Sequence, residues 1–437
     1  MKLFNTSSLV SEKKILSRVK SLSSYIDQLQ TTAMRGGYDA AEASMNLAFD
    51  VNMISEVHRL AKHKGGETLK YIVVIGIGGS NLGAKAIYDA MGGAYDSIAY
   101  GCYPQMIFLD TCDGRLLQQF LTMAEVDLRE KSEFVVLIIS KSGGTTETLV
   151  NAEILLDAWK KRFGPINDRV VAITDKDSAL WNRAVKLSWD VLPIPAMVGG
   201  RYSVLSVVGL FPLALAGVDI DQLCVGARNA RKDGLMNDYK KNPAMRSACF
   251  IFEHYKKGFC IHDSFFFDPS LESLGKWYRQ LVGESLGKVQ SGRWRKMRTG
   301  ITPTVSIGST DLHSVGQLYL AGPRDKISSL VWRTHTEDEL SVPRTLVIDK
   351  DKDFLKQLKP AQVMRAIFDG VVRTYVNEGL PHMRIEMSDD VSDLGYFLQW
   401  RELETMFLAH LMKVYAFDQP AVELYKKETR AILGKKR

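Results

Sequence analysis

The sharpest chemical signal in the sequence is a run of hydroxyl side chains around one lysine. The apolar stretch 134–139 is followed by Ser-Lys-Ser-Gly-Gly-Thr-Thr-Glu-Thr at 140–148. Hydroxyls and free backbone amides can surround a phosphate with donors, while the lysine supplies a positive charge. A cluster of helix N-cap residues is the alternative, since Ser and Thr favour helix starts. Because parallel sheets bind ligands at the carboxyl ends of their strands, we favour a monophosphate site.

A glycine-rich loop follows another apolar stretch. It reads Gly-Ile-Gly-Gly-Ser-Asn-Leu-Gly at 76–83 and precedes a predicted helix. Such a loop lets the backbone approach a ligand, and the helix start offers N–H groups to an anion. A dinucleotide-binding fingerprint would need glycine where Asn81 stands, and a P-loop would need lysine where Ala84 stands. Both nucleotide-binding hypotheses are therefore weak, and a tight turn without a ligand stays open.

Four further segments carry side chains that could move protons or hold charge. They contain Arg201, Glu284, His313 and Lys426, within 199–203, 283–288, 308–313 and 417–426. Each side chain has a structural alternative, respectively a salt bridge, a surface acid, a hydrogen-bonded core imidazole and a solvated helix residue. Their wide separation in the sequence gives no proof that they converge.

The hydrophobic pattern predicts an α/β protein. Residues 1–62 have apolar positions at helical spacing and no strand-like run, which predicts a helical arm. Short apolar runs at 71–75, 106–109, 134–139 and 170–173 alternate with helical stretches and predict a parallel sheet buried on both faces. A less regular series at 259–261, 326–332 and 344–348 predicts a second αβα unit. We expect a helical arm at 1–62, αβα units at 63–200 and 201–390, and a C-terminal helical segment at 391–437.

Composition and charge indicate a globular protein that favours anionic partners. The 437 residues are 46% hydrophobic and 24% charged, which excludes a disordered or fibrous chain. The net charge of +7 suits small phosphates as well as nucleic acid. Five cysteines without metal-ligand spacing indicate a reducing compartment. We expect no secretory signal, and the uncharged stretch 202–218 is too short for a membrane span and predicts a buried helix.

Five segments in this order resemble the glucose-6-phosphate isomerase (phosphoglucose isomerase) family, in its compact bacterial form. They are 75–80, 140–148, 199–203, 284–288 and 417–426, and the resemblance extends from about residue 70 to 426. The Gly-Gly-Arg-Tyr-Ser and Phe-Asp-Gln segments are the specific ones. The resemblance implies two sugar-isomerase (SIS-type) αβα domains and a cytoplasmic homodimer. It also implies reversible conversion of D-glucose 6-phosphate to D-fructose 6-phosphate, in glycolysis and gluconeogenesis, with no metal and no cofactor.

The resemblance also implies roles for individual residues. Glu284 would move a proton between C1 and C2, and Arg201 would stabilise the enediol intermediate. His313 and Lys426 would act in ring opening, with His313 contributed by the neighbouring subunit. The substrate-binding residues that the resemblance implies are Gly79, Ser80, Ser140, Lys141, Ser142, Thr145, Gln280 and Gln419.

Elementary chemistry agrees with these roles. Moving a proton between neighbouring carbons needs one carboxylate, so a single glutamate can serve both steps. The oxygen that becomes negative needs a fixed positive group, and arginine keeps its proton. Histidine titrates near neutrality and suits ring opening. A phosphate site at the far end of the sugar would hold the reacting carbons against the base.

Three alternatives stay open from the sequence. A non-catalytic sugar-phosphate sensor would need the 140–148 loop but not Glu284. An isomerase of another phosphorylated sugar, or one that also accepts mannose 6-phosphate, would carry the same motifs. Nucleic-acid binding is suggested by basic residues around an aromatic ring, namely Lys288, Arg293, Trp294, Arg295, Lys296 and Arg298. A solvated or inter-subunit loop explains that segment more simply, so we predict a small sugar phosphate as partner and neither nucleic acid nor membrane.

Overall fold

The computed structural model describes residues 1–4, 10–96, 98–99, 101–291, 296–334, 340–349 and 351–434. Its strands are β1 (Lys2–Phe4), β2 (Tyr71–Ile75), β3 (Gln105–Leu109), β4 (Phe134–Ile139), β5 (Val170–Asp175), β6 (Asp190–Ile194), β7 (Ile261–Phe266), β8 (Lys288–Ser291), β9 (Lys296–Thr299), β10 (Thr302–Ile307), β11 (Lys326–Thr334) and β12 (His382–Ser388). Its α-helices are α1 (Glu12–Arg35), α2 (Val51–Lys64), α3 (Leu82–Ala90), α4 (Gly114–Asp127), α5 (Thr146–Phe163), α6 (Ala179–Lys186), α7 (Val207–Leu215), α8 (Ile220–Gly234), α9 (Pro243–Tyr255), α10 (Glu272–Leu286), α11 (Gly316–Ala321), α12 (Pro360–Asn377), α13 (Val391–Met412) and α14 (Glu423–Gly434).

The first sheet contains five parallel strands in the order β3-β2-β4-β5-β6. Strands β2 and β4 are apolar and buried along their whole length, as a sheet covered by helices on both faces requires. Because β2 and β4 are parallel neighbours, the loops at 76–81 and 140–145 leave the sheet side by side. This confirms the predicted α/β class and brings the two sequence motifs to the same edge.

The second sheet has the order β1-β12-β11-β7-β10. Strands β12, β11, β7 and β10 are parallel, and β1 pairs antiparallel with β12 at the edge. After the carboxyl end of β7, a 3-10 turn, Pro269–Leu271, leads into α10. Helix α10 therefore follows the second sheet, packs against α3 beside the first sheet, and carries Glu284 near its C-terminal end.

Helix α13 lies in the centre of the molecule and packs against α8, α9 and α10. It is buried on every side, including Gln399, Arg401, Glu402 and Glu404. Helix α14, by contrast, has no buried residue. The predicted C-terminal helical periodicity thus corresponds to two helices in opposite environments, separated by residues 413–422.

Three sequence expectations differ from the structure. The run 344–348 is not a strand, and its residues Val347 and Ile348 are almost fully exposed, because it lies in the connection between β11 and α12. The predicted helical arm also contains the short strand β1, which the second sheet recruits. The strand expected at 259–261 begins at Ile261 and continues through polar His262, Asp263 and Ser264. The four domain boundaries stay predictions.

The uncharged stretch 202–218 contains α7, which is buried as predicted. Within the described residues, no helix combines the length and the apolar character needed to cross a membrane.

Candidate active site

Helix α10 positions the carboxylate that the sequence singles out. Leu274, Trp277 and Leu281 bury one face of the helix, which turns Gln280 and Glu284, one helical turn apart, to another face. Gln280 Nε2 donates to Glu284 Oε1 at 3.0 Å. The Glu284 side chain is 28% exposed, so it is held by the protein but remains within reach of a ligand.

Arg201 lies directly beside this carboxylate, in the 3-10 turn Gly200–Tyr202. Its side chain is 2% exposed, and its Nη1 is 3.2 Å from Glu284 Oε2. Nη1 also donates to Gln419 Oε1 at 2.8 Å, and Nε donates to Ser285 Oγ at 2.9 Å. Nη2 donates to the backbone oxygens of Asp418, at 3.1 Å, and Ala416. All five N–H groups of the guanidinium therefore have partners, and only Nη1 faces the candidate base.

The glycine loop fits against this arrangement because it lacks side chains. A Cβ atom on Gly79 would lie 2.1 Å from the carbonyl carbon of Gly200, and one on Gly78 would lie 2.9 Å from Gln280 Nε2. Gly78 also has a φ of +62°, which a residue with a side chain rarely adopts. The loop after β2 thus contacts both the Arg201 turn and α10, and brings Ser80 to the same region.

The loop 140–145 after β4, called the hydroxyl loop, is held by hydrogen bonds between its own residues. Ser140 Oγ and Thr145 Oγ1 are 2.9 Å apart, and Ser142 is exposed. Gly143 has a φ of +69° and its N–H donates to the oxygen of Ser140 at 3.1 Å. The loop ends at the start of α5, so hydroxyls and helix N-terminal amides lie together, as an anion site requires.

Lys141 has a different environment from a freely solvated lysine. Its Nζ donates to the backbone oxygens of Ala196 at 2.6 Å and Val198 at 2.8 Å. Burial lowers its pKa, and nearby Asp175 opposes this shift. Lys141 therefore ties the hydroxyl loop to the segment that leads into Arg201, in addition to placing a positive charge beside the loop.

A second lysine fixes the C-terminal segment that supplies Gln419. Lys288 Nζ donates to Asp418 Oδ1 at 2.8 Å and to the backbone oxygen of the same residue. Burial lowers the pKa of Lys288, while Asp418 opposes the shift. Lys288 is thus used in holding the site, whereas Arg293, Trp294 and Arg295 of the basic segment lie outside the described residues.

His313 and Lys426 stand apart from this cluster within one chain. His313 is exposed, in the 3-10 turn Thr310–His313 after the edge strand β10. In the described part of the chain it makes no hydrogen bond with Arg201 or Glu284. Lys426 lies on α14 and pairs with Glu423 at 2.8 Å. The structure therefore brings together Arg201, Glu284, Gln280, Gln419 and the two loops, but not these two residues.

Two residues of the site were quoted in the sequence motifs without a role. Ser285 accepts the hydrogen bond from Arg201 Nε, and its Oγ lies 3.0 Å from the hydroxyl of Tyr202. Both residues are buried. The sequence offered one sign of their importance, which is that Ser285 directly follows Glu284 and Tyr202 directly follows Arg201.

The chain is similar to known proteins both in sequence and in structure. A family model described as phosphoglucose isomerase matches residues 30–437. The glucose-6-phosphate isomerase of Streptococcus agalactiae serotype III is 33% identical over 397 residues, which cover 89% of this chain and 85% of the relative. That of Lacticaseibacillus casei is 32% identical over 393 residues, with the same two coverages.

Two solved structures share the fold over nearly the whole chain. A hypothetical protein from Thermus thermophilus has a TM-score of 0.86 and 28% identity, covering 99% of this chain and 100% of its own. A glucose-6-phosphate isomerase from Chlamydia trachomatis has a TM-score of 0.77 and 20% identity, covering 97% and 86%. At that identity the second likeness shows the fold alone, and it confirms the predicted sugar-isomerase architecture.

Proposed function

Because this chain belongs to the phosphoglucose isomerase family and is an isomerase, we propose that it interconverts D-glucose 6-phosphate and D-fructose 6-phosphate, with Glu284 as the base. One observation carries this proposal. Glu284 is held by Gln280 on one oxygen and by the buried Arg201 on the other, beside the 76–81 loop, whose Gly78 lies against Gln280. The same arrangement suits the ionised carboxylate that must first accept a proton.

The proton transfer follows from this pairing. Glu284 takes the proton from C2 of the open-chain aldose, the C1=O electrons shift onto the C1 oxygen, and an enediolate forms. The proton of the C2 hydroxyl passes to the C1 oxygen, and the carboxyl returns its own proton to C1 as the C2 oxygen becomes a carbonyl. Arg201 Nη1 lies 3.2 Å from Glu284 Oε2, so it would stay close to both groups as negative charge leaves the carboxylate for the enediolate. A buried guanidinium that needs no reorientation lowers the energy of that charge movement.

The two loops would bind the rest of the substrate. Ser140, Ser142, Thr145 and the start of α5 offer hydroxyl and amide donors to the phosphate, with the charge of Lys141 beside them. Ser80 and the backbone at Gly79 would line the sugar near Arg201. Gln280 Oε1 is buried without a hydrogen-bond partner among the described residues, and would accept a hydrogen bond from a sugar hydroxyl, while Gln419 would contact another.

We further propose that the active unit is a homodimer. His313 and Lys426 would open the sugar ring, and His313, exposed and apart from its own Glu284, would serve the site of the neighbouring subunit. The reaction would belong to glycolysis and gluconeogenesis in the cytoplasm. The five free cysteines of the described residues are compatible with a reducing compartment.

A coupled assay tests the proposed reaction. Purified protein is offered fructose 6-phosphate with a chelator present, and formation of glucose 6-phosphate is followed. We expect sustained turnover. A protein that binds sugar phosphates without turnover would be a sensor, and turnover of a different phosphorylated sugar alone would change the substrate while leaving the proton-transfer step intact.

A further inference from the structure

Arg201 presents one edge of its guanidinium to the reacting groups. Nη1 donates to Glu284 and Gln419, while Nε is bonded to Ser285 and Nη2 to two backbone oxygens within residues 416–419. A guanidinium is a rigid planar fork. Fixing Nε and Nη2 therefore fixes the direction in which Nη1 points.

Ser285 is placed for this task by the geometry of α10. Consecutive residues of an α-helix point about 100° apart, so Glu284 reaches the site while Ser285 faces the interior. Ser285 has no exposed surface. One turn of α10 thus holds both the carboxylate and the hydroxyl that receives Arg201 Nε, at 2.9 Å.

Tyr202 holds the other side of the Ser285 hydroxyl. The two hydroxyl oxygens are 3.0 Å apart, and burial raises the pKa of Tyr202 to about 12, against the opposing effect of Arg201. The tyrosine therefore stays protonated and available as a hydrogen-bonding hydroxyl. Its ring centroid lies 5.5 Å from Arg201 Cζ and 5.3 Å from the ring of Phe417, so ring packing keeps it in place.

We propose that Ser285, held by Tyr202, is a positioning residue that aims Arg201 Nη1 at the developing enediolate. This inference rests on the proposed function. Both hydroxyls are buried and neither is bonded to Glu284, so both would act through the guanidinium. Without the Ser285 hydroxyl, Nε would be left unpaired in a buried place and the fork could tilt, which misplaces Nη1 at the moment when charge develops.

The test compares Ser285→Ala with Ser273→Ala. Ser273 lies on the same helix, is also buried, and donates its hydroxyl to Asp89 rather than to Arg201. We expect Ser285→Ala to lower kcat about 10- to 100-fold with KM within about twofold, Ser285→Thr to restore most of the loss, and Ser273→Ala to leave kcat unchanged. Equal kcat in Ser285→Ala and wild type would overturn the proposal.

Two ligands separate positioning from a general structural effect. A phosphorylated five-carbon sugar acid carries a carboxylate in the place of the enediolate oxygens, whereas an open-chain sugar-alcohol phosphate is neutral at that end. Ser285→Ala should weaken binding of the acid by about the factor lost in kcat and leave binding of the alcohol unchanged. Equal weakening of both ligands would contradict positioning of Arg201.

Tyr202→Phe gives a second, independent variant if Ser285→Ala does not fold. It keeps the ring and removes only the hydroxyl, and should lower kcat about 3- to 10-fold with the same selectivity for the acid. If Tyr202→Phe kept the wild-type kcat and the wild-type affinity for the acid, Tyr202 would have no role in positioning Arg201. Failure of wild type to isomerise fructose 6-phosphate would instead refute the proposed function, which keeps the two failures apart.

Discussion

Gly79 is the residue at which the first glycine loop and the Arg201 turn come into contact. Its missing side chain lets the loop lie against Gly200, where a Cβ would be 2.1 Å from a carbonyl carbon. Since that carbon is backbone, it can yield only by moving the turn that carries Arg201. A single methyl group at position 79 should therefore damage catalysis through a contact that involves no reacting atom.

We expect Gly79→Ala to lower kcat/KM about 100-fold and to lower the free energy of unfolding by about 1–3 kcal/mol. Gly370→Ala is the matched control, because Gly370 is an exposed residue of α12 outside the candidate site, has no atom within 4 Å of an added Cβ, and has no positive φ. Steady-state kinetics and urea unfolding measure both effects. A Gly79→Ala enzyme with the activity of Gly370→Ala would refute the role of this contact.

The sequence motifs predicted individual reactive residues but not their partners. Glu284, Arg201 and Gln280 lie together in one cluster. The family resemblance implied that they share a site, whereas the separate motifs gave no sign of it. The bonds of Lys141 to the oxygens of Ala196 and Val198 could not be predicted, because backbone oxygens carry no sequence signal. The roles of His313 and Lys426 stay predictions.

At the scale of elements, α13 combines a central position with polar side chains. Arg401 and Glu404 are both fully buried and paired at 2.8 Å, and Tyr278 donates to the same carboxylate at 2.6 Å. Glu402, by contrast, contacts only the amide of Gln399 at 3.3 Å among the described residues, and burial raises its pKa well above the usual value. Burial therefore favours the protonated form of Glu402 in the folded protein.

Glu402 should make stability depend on pH. Above the pKa of the unfolded chain, near 4.5, the unfolded state releases this proton while the folded state keeps it. The contribution of Glu402 to the free energy of unfolding is therefore largest below pH 4.5. It falls by about 1.4 kcal/mol per pH unit as the pH rises, until the carboxyl also ionises in the folded protein.

Glu402→Gln removes that titration while keeping the shape and a polar amide. We expect it to be more stable than wild type at pH 8 and close to wild type at pH 4.5, as measured by urea unfolding at both values. The control is Glu404→Gln, which should be destabilised at pH 8 because it leaves Arg401 without its buried charge partner. An equal effect of Glu402→Gln at both pH values would mean that the pKa of Glu402 is not raised in the folded protein.

Elements were predictable where one physical rule dominated. Strands β2 and β4 are continuous apolar runs, and α7 is an uncharged stretch of helical length, so burial alone identified them. Strand β7 contains buried His262, Asp263 and Ser264. The burial of His262 and Asp263 is offset by hydrogen bonds such as that from Thr304 Oγ1 to Asp263 at 2.7 Å. Those bonds come from a distant strand, which the local pattern could not reveal.

At the scale of the whole molecule, an active site formed by two subunits would explain why a single chain exposes apolar residues of α14 and His313 to solvent. Helix α14 exposes Leu424, Tyr425, Ile432 and Leu433, and His313 is exposed as well. Apolar side chains in such number on one solvated helix are typical of a surface that another chain covers. The proposed homodimer would bury this surface and complete the site.

Mixing two inactive variants tests whether His313 crosses between subunits. Glu284→Gln chains and His313→Ala chains, unfolded and refolded together in equal amounts, form half their dimers as mixed pairs. In each mixed pair one site has an intact Glu284 from one chain and an intact His313 from the other. We expect about a quarter of the wild-type activity. No recovery in a mixture shown by mass to contain mixed dimers would place His313 in its own chain's site.

The most direct test of the account measures solvent deuterium entering the sugar. In D₂O, wild type should place deuterium at C2 of glucose 6-phosphate, as followed by proton NMR, because Glu284 exchanges its proton with solvent during part of the turnovers. Glu284→Gln should bind the sugar phosphate normally yet lose both exchange and isomerisation by about 10²- to 10⁴-fold or more. Exchange at the wild-type rate in Glu284→Gln would show that another group moves the proton, and would contradict the central claim.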